Sequence, residues 1–200
     1  MPTGLAASFG HAFRGLVEVT ARERNMKIHV LAGGAVGLLG AEVALPLPSR
    51  LALVLAVMVV VSAEMGNSAL EALVDLHTKE RREEARRAKD AAAGAVLALA
   101  IGAVVLALAV AGASWDAIEA ALQRRGVHLV LAAGTVALQG FLLFGRHRSG
   151  VLDGIAISTG AVLVAYLGLT GLSAALSVTG ALLFALSASA AVHSRFRVSA

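Results

Sequence analysis

The chain has 200 residues, 58 % of them hydrophobic and only 15 % charged, with a formal net charge of +4. Its mean hydropathy is +0.81, whereas soluble domains are about 45–50 % apolar and about 25 % charged. This balance excludes a disordered chain, and the absence of cysteine excludes a disulfide scaffold, a thiolate zinc site and a catalytic thiol. The composition is that of an all-α integral membrane protein.

The first element is a helix. Leu5, Phe9, Ala12, Phe13, Leu16 and Val19 or Thr20 recur at helical spacing, with His11, Arg14, Glu18 and Arg22 elsewhere on the wheel. The pattern predicts an amphipathic helix lying on the inner membrane surface, with packing on the bundle as the alternative. No basic region precedes an apolar run here, so a signal peptide is not expected.

A membrane-crossing helix needs about 20 apolar residues to span about 30 Å of hydrocarbon. Val30 to Pro48, broken by Glu42, and Leu51 to Leu70, broken by Glu64, are the first two candidates. Ala91 to Ala113 and Leu129 to Gly145 carry no charge. Gly154 to Val192 is uncharged throughout and, at 1.5 Å per residue, would reach roughly 58 Å, about two bilayer cores. It is read as two helices with a turn near Gly168–Ser173, for six crossings in total. Gly34, Gly37 and Gly40 have the small-residue spacing of close helix packing.

Lysine and arginine set the orientation. With the N-terminus inside, Arg14, Arg22, Arg24, Lys27, Lys79, Arg81, Arg82, Arg86, Arg87, Lys89, Arg146, Arg148, Arg195 and Arg197 face the cytoplasm, and only Arg50, Arg124 and Arg125 face out.

Carboxylates inside apolar helices are costly, so their positions carry information. In Glu64-Met65-Gly66-Asn67-Ser68-Ala69-Leu70-Glu71-Ala72-Leu73-Val74-Asp75, Glu71 lies about 20° from Glu64 on one side of the wheel and Asp75 about 20° on the other. Asn67 and Ser68 flank the same stripe. Stacked like charges repel unless a positive group sits against them. Mg²⁺ suits the position, because it takes oxygen ligands, usually one or two carboxylates with substrate phosphates and water. Glu23, just before the first crossing, reaches the same side. Lys89-Asp90 is expected to open the third crossing, where a helix start and a lysine favour an anion. The run His77 to Asp90 reads as a solvated helical loop whose basic residues could also attract anionic lipid or nucleotide. No HExxH pair and no GxxxxGK[ST] loop occurs.

These residues resemble the prokaryotic integral-membrane diacylglycerol kinase and undecaprenol kinase family. The resemblance rests on Glu64-x-x-Asn67-Ser68-Ala69-x-Glu71-Ala72-x-Val74-Asp75, on Arg87-Ala88-Lys89-Asp90 with Ala95-Val96-Leu97, and on Arg14-Gly15-Leu16 and Glu23-Arg24-Asn25. It covers about residues 5–113. The Glu23-Arg24-Asn25 triplet and Ala91–Leu97 look closer to the undecaprenol branch. Met65-Gly66 stands where the family has bulkier apolar residues, which is expected to loosen packing or widen lipid access.

The resemblance implies a fold and roles. The fold would be a surface helix and a three-crossing kinase core over residues 1–113. Glu64 would be catalytic, taking the proton of a lipid hydroxyl. Glu23 and Glu71 would hold Mg²⁺ on the phosphates of ATP. Asn67, Asp75, Lys89 and Asp90 would lie near the nucleotide. A homotrimer in the bacterial inner membrane is implied, with a lipid alcohol, diacylglycerol or undecaprenol, as substrate and no nucleic-acid partner.

Residues 114–126 read as a linker with Trp115 at the outer interface. Residues 127–200 read as a non-catalytic transmembrane extension of three further crossings. Arg148-Ser149-Gly150-Val151 faintly resembles a lipid-phosphatase Ser-Gly-His signature, but Val151 stands where the histidine belongs. A transporter using Glu64, Glu71 and Asp75 as an ion or proton relay is one alternative. It would show repeated broken helices, and the halves share no acidic motif. An inactive relative is another, yet every polar residue of the motif is present.

Overall fold

The computed structural model describes residues 4–77, 82–145 and 149–198. Residues 78–81 of the charged run, and Arg146 and Arg148, lie outside these segments. The described residues form eight helices and no strand: α1 Leu5–Arg22, α2 Arg24–Gly40, α3 Leu47–His77, α4 Glu83–Ala113, α5 Trp115–Arg124, α6 Gly126–Phe144, α7 Gly150–Thr170 and α8 Ala174–Val198. Five of them, α3, α4, α6, α7 and α8 as far as Arg195, are long and apolar enough to cross a membrane. The long uncharged stretch breaks between Thr170 and Ala174, within the expected turn.

α2 departs from the expectation. It begins at Arg24 and ends at Gly40, 17 residues in all, or about 26 Å. Residues 41–46 then run without helix up to α3, which carries Pro48 in its first turn, a position where the missing N–H costs nothing. Irregular backbone at membrane depth must be satisfied by protein. Here it is. The Glu42 and Val43 N–H groups donate to Leu39 and Gly40, Ala41 O accepts from Leu172 N, and Leu45 O accepts from Arg50 Nε at 2.6 Å.

α1 follows its predicted periodicity but divides its apolar face. Leu5, Phe9 and Phe13 are exposed, whereas Val17 and Thr20 are buried. Its later turns pack on α8, and Val17 joins a core cluster with Met26, Val30, Val61, Leu143, Leu183 and Leu186. That cluster draws on α1, α2, α3, α6 and α8, so the two halves of the chain share one core.

α2 lies at the centre of the bundle, against α8, α6 and α3. Helices in a membrane gain little from apolar burial alone and associate through close packing and polar contacts. The glycines supply the first. A Cβ on Gly37 would lie 2.5 Å from the Gly180 backbone nitrogen, so α2 and α8 touch main chain to main chain. Gly33 admits Val57 and Leu183, and Gly34 admits Gln139. Gln139 supplies the second. Fully buried on α6, it donates to Val30 O (3.2 Å), Leu183 O (3.3 Å) and Ser187 Oγ (3.1 Å). α4 packs on α3 and otherwise buries only Val96.

Two ion pairs pin the ends of the C-terminal helices. At one end Arg125 donates to Glu42 Oε2 from Nε (2.8 Å) and Nη2 (2.5 Å), and to Thr170 O (2.8 Å). At the other, Arg195 Nε donates to Asp153 Oδ2 at 2.6 Å.

Candidate active site

The polar stripe of α3 forms as the wheel predicts. Glu64 is 2 % exposed and Asn67 8 % exposed. Glu71 is half-buried, and Asp75 is exposed one turn further on. Asn67 Nδ2 donates to Glu71 Oε1 at 3.0 Å, a contact between helical neighbours four residues apart. Asn67 Oδ1 is buried without a hydrogen-bond partner.

Glu64 accepts no hydrogen bond and pairs with no cation among the described residues. It does feel the charges of Glu71 and Glu23. Glu23 reaches it because the chain breaks there. It is extended (φ −85°, ψ 125°) between α1 and α2, its N–H donating to Val19 O at 2.8 Å. Its side chain is exposed. Acids from two segments, Glu23 and Glu71, therefore act on Glu64 together. Gly66, about 200° round the helix from Glu64, is exposed on the opposite face, where an added Cβ would meet nothing within 4 Å.

Lys89 crosses from α4 to α3, where Nζ donates to Asp75 Oδ1 at 2.6 Å. Asp90 turns back to Arg86 on its own helix. Arg86 also holds Glu83 (2.6 Å), as does Arg87 (3.2 Å). The expected helix start at Lys89-Asp90 is corrected here. α4 begins at Glu83, so Lys89 lies in its second turn, and the first turn carries Glu83 and Glu84. These acids already complement the positive end of the helix, which leaves no free N-terminus for a phosphate at Lys89.

Among the described residues no three His, Asp or Glu side chains converge as a ready-made metal cage. The donor set still suits Mg²⁺. All its donors are hard oxygens, one of them the unpartnered Asn67 Oδ1, and Mg²⁺ is usually held by one or two carboxylates together with phosphates and water.

Sequence reasoning missed the pairing of Glu42, which it noted only as an interruption, with Arg125, which it counted only as an outer charge. The available signal was a lone acid in an apolar run with three cations near that end of the helices. Gln139 gave no signal beyond being the one amide of its helix.

The sequence profile described as prokaryotic diacylglycerol kinase matches residues 10–111. An undecaprenol kinase of Bacillus subtilis (strain 168) is 39 % identical over 101 residues, which is 50 % of this chain and 82 % of that protein. A diacylglycerol kinase of Synechocystis sp. is also 39 % identical, over 103 residues, 51 % of this chain and 59 % of that protein. No solved structure matches the chain. Glu23, Glu64, Asn67, Glu71, Asp75, Lys89 and Asp90 all fall inside the matched span, and the helices around them are those of a multi-pass membrane protein. The chain belongs to the prokaryotic diacylglycerol kinase family and is a lipid kinase.

Proposed function

We propose that the chain transfers the γ-phosphoryl group of ATP, with Mg²⁺, to the primary hydroxyl of a membrane lipid alcohol at the cytoplasmic face. The observation that carries this reading is Glu64: a carboxylate 2 % exposed, without a cation, beside two further acids. A proton acceptor near an apolar substrate and an oxygen-rich neighbourhood for a metal-bound phosphate are the two requirements of the reaction.

In this scheme Glu64 accepts the hydroxyl proton. The new bond joins the lipid oxygen to the γ-phosphorus, the bond to the bridging oxygen breaks, and ADP leaves. Glu23 and Glu71 would hold Mg²⁺, which when bound neutralises charge on the phosphates. Asn67 orients Glu71 through its 3.0 Å bond. Lys89 exchanges Asp75 for phosphate oxygens, leaving Asp75 on the nucleotide side, and Asp90 lies at the same level of α4. Residues 1–113 carry the chemistry, 114–126 link, and 127–200 brace the core without catalysing.

The asymmetry of lysine and arginine favours a cytoplasmic N-terminus, and the family resemblance implies the bacterial inner membrane. A homotrimer fits the largely uncovered α4. Both lipid classes named for the relatives present a primary hydroxyl, so diacylglycerol and undecaprenol are the two substrates to compare. Purified protein given labelled ATP and a panel of lipid alcohols tests the reading. Label on one or both alcohols supports it, and label on none, with Mg²⁺ present, contradicts it.

A further inference from the structure

A groove of about 540 Å³ opens between α1, α7 and α8. Phe13 and Val17 line it from α1, Ile157 from α7 and Val192 from α8, and beside them stand Arg14, Glu18 and His193. On α1 the apolar pair Phe13 and Val17 and the charged pair Arg14 and Glu18 are each four residues apart, so each makes a row along the helix. An apolar row with a charged row next to it suits an amphiphile better than a pure hydrocarbon.

The groove lies where a bilayer lipid passes from headgroup to chain. α7 and α8 are long and apolar enough to cross a membrane, and the Asp153–Arg195 pair marks their polar end. Ile157 stands about one turn inward of Asp153, and Val192 about one turn inward of Arg195. Lipid therefore meets the open side of the groove, and charge selects which lipid. Glu18 is already held by Arg22 at 2.9 Å. Arg14 meets no carboxylate among the described residues. Its guanidinium rests on the ring of His11, a group that gains positive charge when protonated. On the facing wall His193 Nε2 is buried without a hydrogen-bond partner. A guanidinium matches phosphate oxygens closely.

We infer that this groove binds an anionic phospholipid of the surrounding bilayer, with its phosphate on Arg14 and His193 and one acyl chain along Phe13, Val17 and Val192. A zwitterionic lipid brings its own positive charge to Arg14 and is held less well. The walls from α7 and α8 lie beyond residue 111, where the family match ends. The second half of the chain thus completes a lipid site that is separate from phosphoryl transfer.

The test needs no turnover. The full-length protein is placed in nanodiscs of equal phosphatidylglycerol and phosphatidylcholine, and the lipids it retains are read by native mass spectrometry. The wild type should favour phosphatidylglycerol by about fivefold, the worth of one basic residue at an anionic surface. Arg14→Gln, a change at an exposed side chain that leaves folding intact, should bring the ratio close to one. Arg87→Gln, which removes an exposed arginine outside the groove, should leave the ratio unchanged. Val192→Trp, which fills the apolar row, should lower retention of both lipids. Equal retention of the two lipids by the wild type, or an unchanged ratio in Arg14→Gln, would overturn the inference. An equal fall in Arg87→Gln would also overturn it, because the preference would then be one of general surface charge. Loss of a subunit contact in Val192→Trp with lipid retention unchanged would assign the groove to a second copy and overturn it as well.

Discussion

Arg125→Leu leaves Glu42 alone in the bundle. Glu42 is completely buried, and its partner's side chain is only 19 % exposed. The change removes both bonds to Glu42 Oε2 and the 2.8 Å bond to Thr170 O. Glu42 Oε1 already lacks a hydrogen bond, so the carboxylate would have no protein donor among the described residues. Removing one partner of a buried pair costs about 3–5 kcal/mol, because the other charge stays buried. Replacing both by apolar residues is often neutral or stabilising. The double variant Glu42→Leu/Arg125→Leu should therefore recover most of the loss. The assay is unfolding of the purified protein in detergent micelles, with both single variants and the double completing a cycle. A single variant costing less than about 1 kcal/mol would refute the reasoning. So would a double variant as unstable as Arg125→Leu, since the loss would then come from packing and not from the stranded charge.

Other outcomes follow from the same structure. Glu23→Gln and Glu71→Gln should each raise the Mg²⁺ concentration needed for half-maximal turnover, and unchanged metal dependence would remove that residue as a ligand. Gly37→Val should destabilise by about 1–3 kcal/mol or more, because its Cβ would meet the Gly180 main chain at 2.5 Å, whereas Gly102→Ala, with nothing within 4 Å, should melt like the wild type. Lys89→Ala should raise the KM for ATP more than it lowers kcat. An effect on kcat alone would place Lys89 outside nucleotide binding.

The sequence revealed features that depend on a single helix. Apolar runs marked the spans, the period of 3.6 put Glu64, Asn67 and Glu71 on one stripe, and the turn after Thr170 followed from length alone. The close packing expected of Gly34 and Gly37 is met by Gln139 and Gly180. Features that depend on two helices were not legible. Glu42 meets Arg125 across 83 positions, and no local pattern encodes that distance. The start of α4 was misread because charge was taken to mark its boundary. Glu83, Arg86, Arg87 and Asp90 instead form pairs three and four residues apart, which sustain a helix in polar surroundings. α2 proved shorter because residues 41–46 bond instead to Leu172 in the turn between α7 and α8 and to Arg50, which periodicity does not register.

The most direct measurement is the rate of phosphoryl transfer by Glu64→Gln, which keeps the shape of the side chain and removes its capacity to take a proton. A positioned proton acceptor is worth about 10²–10⁴ in rate. The account predicts a fall of that size, with the variant eluting and melting like the wild type. Turnover close to the wild-type rate would contradict it, because the buried, unpaired acid would then have no part in the chemistry.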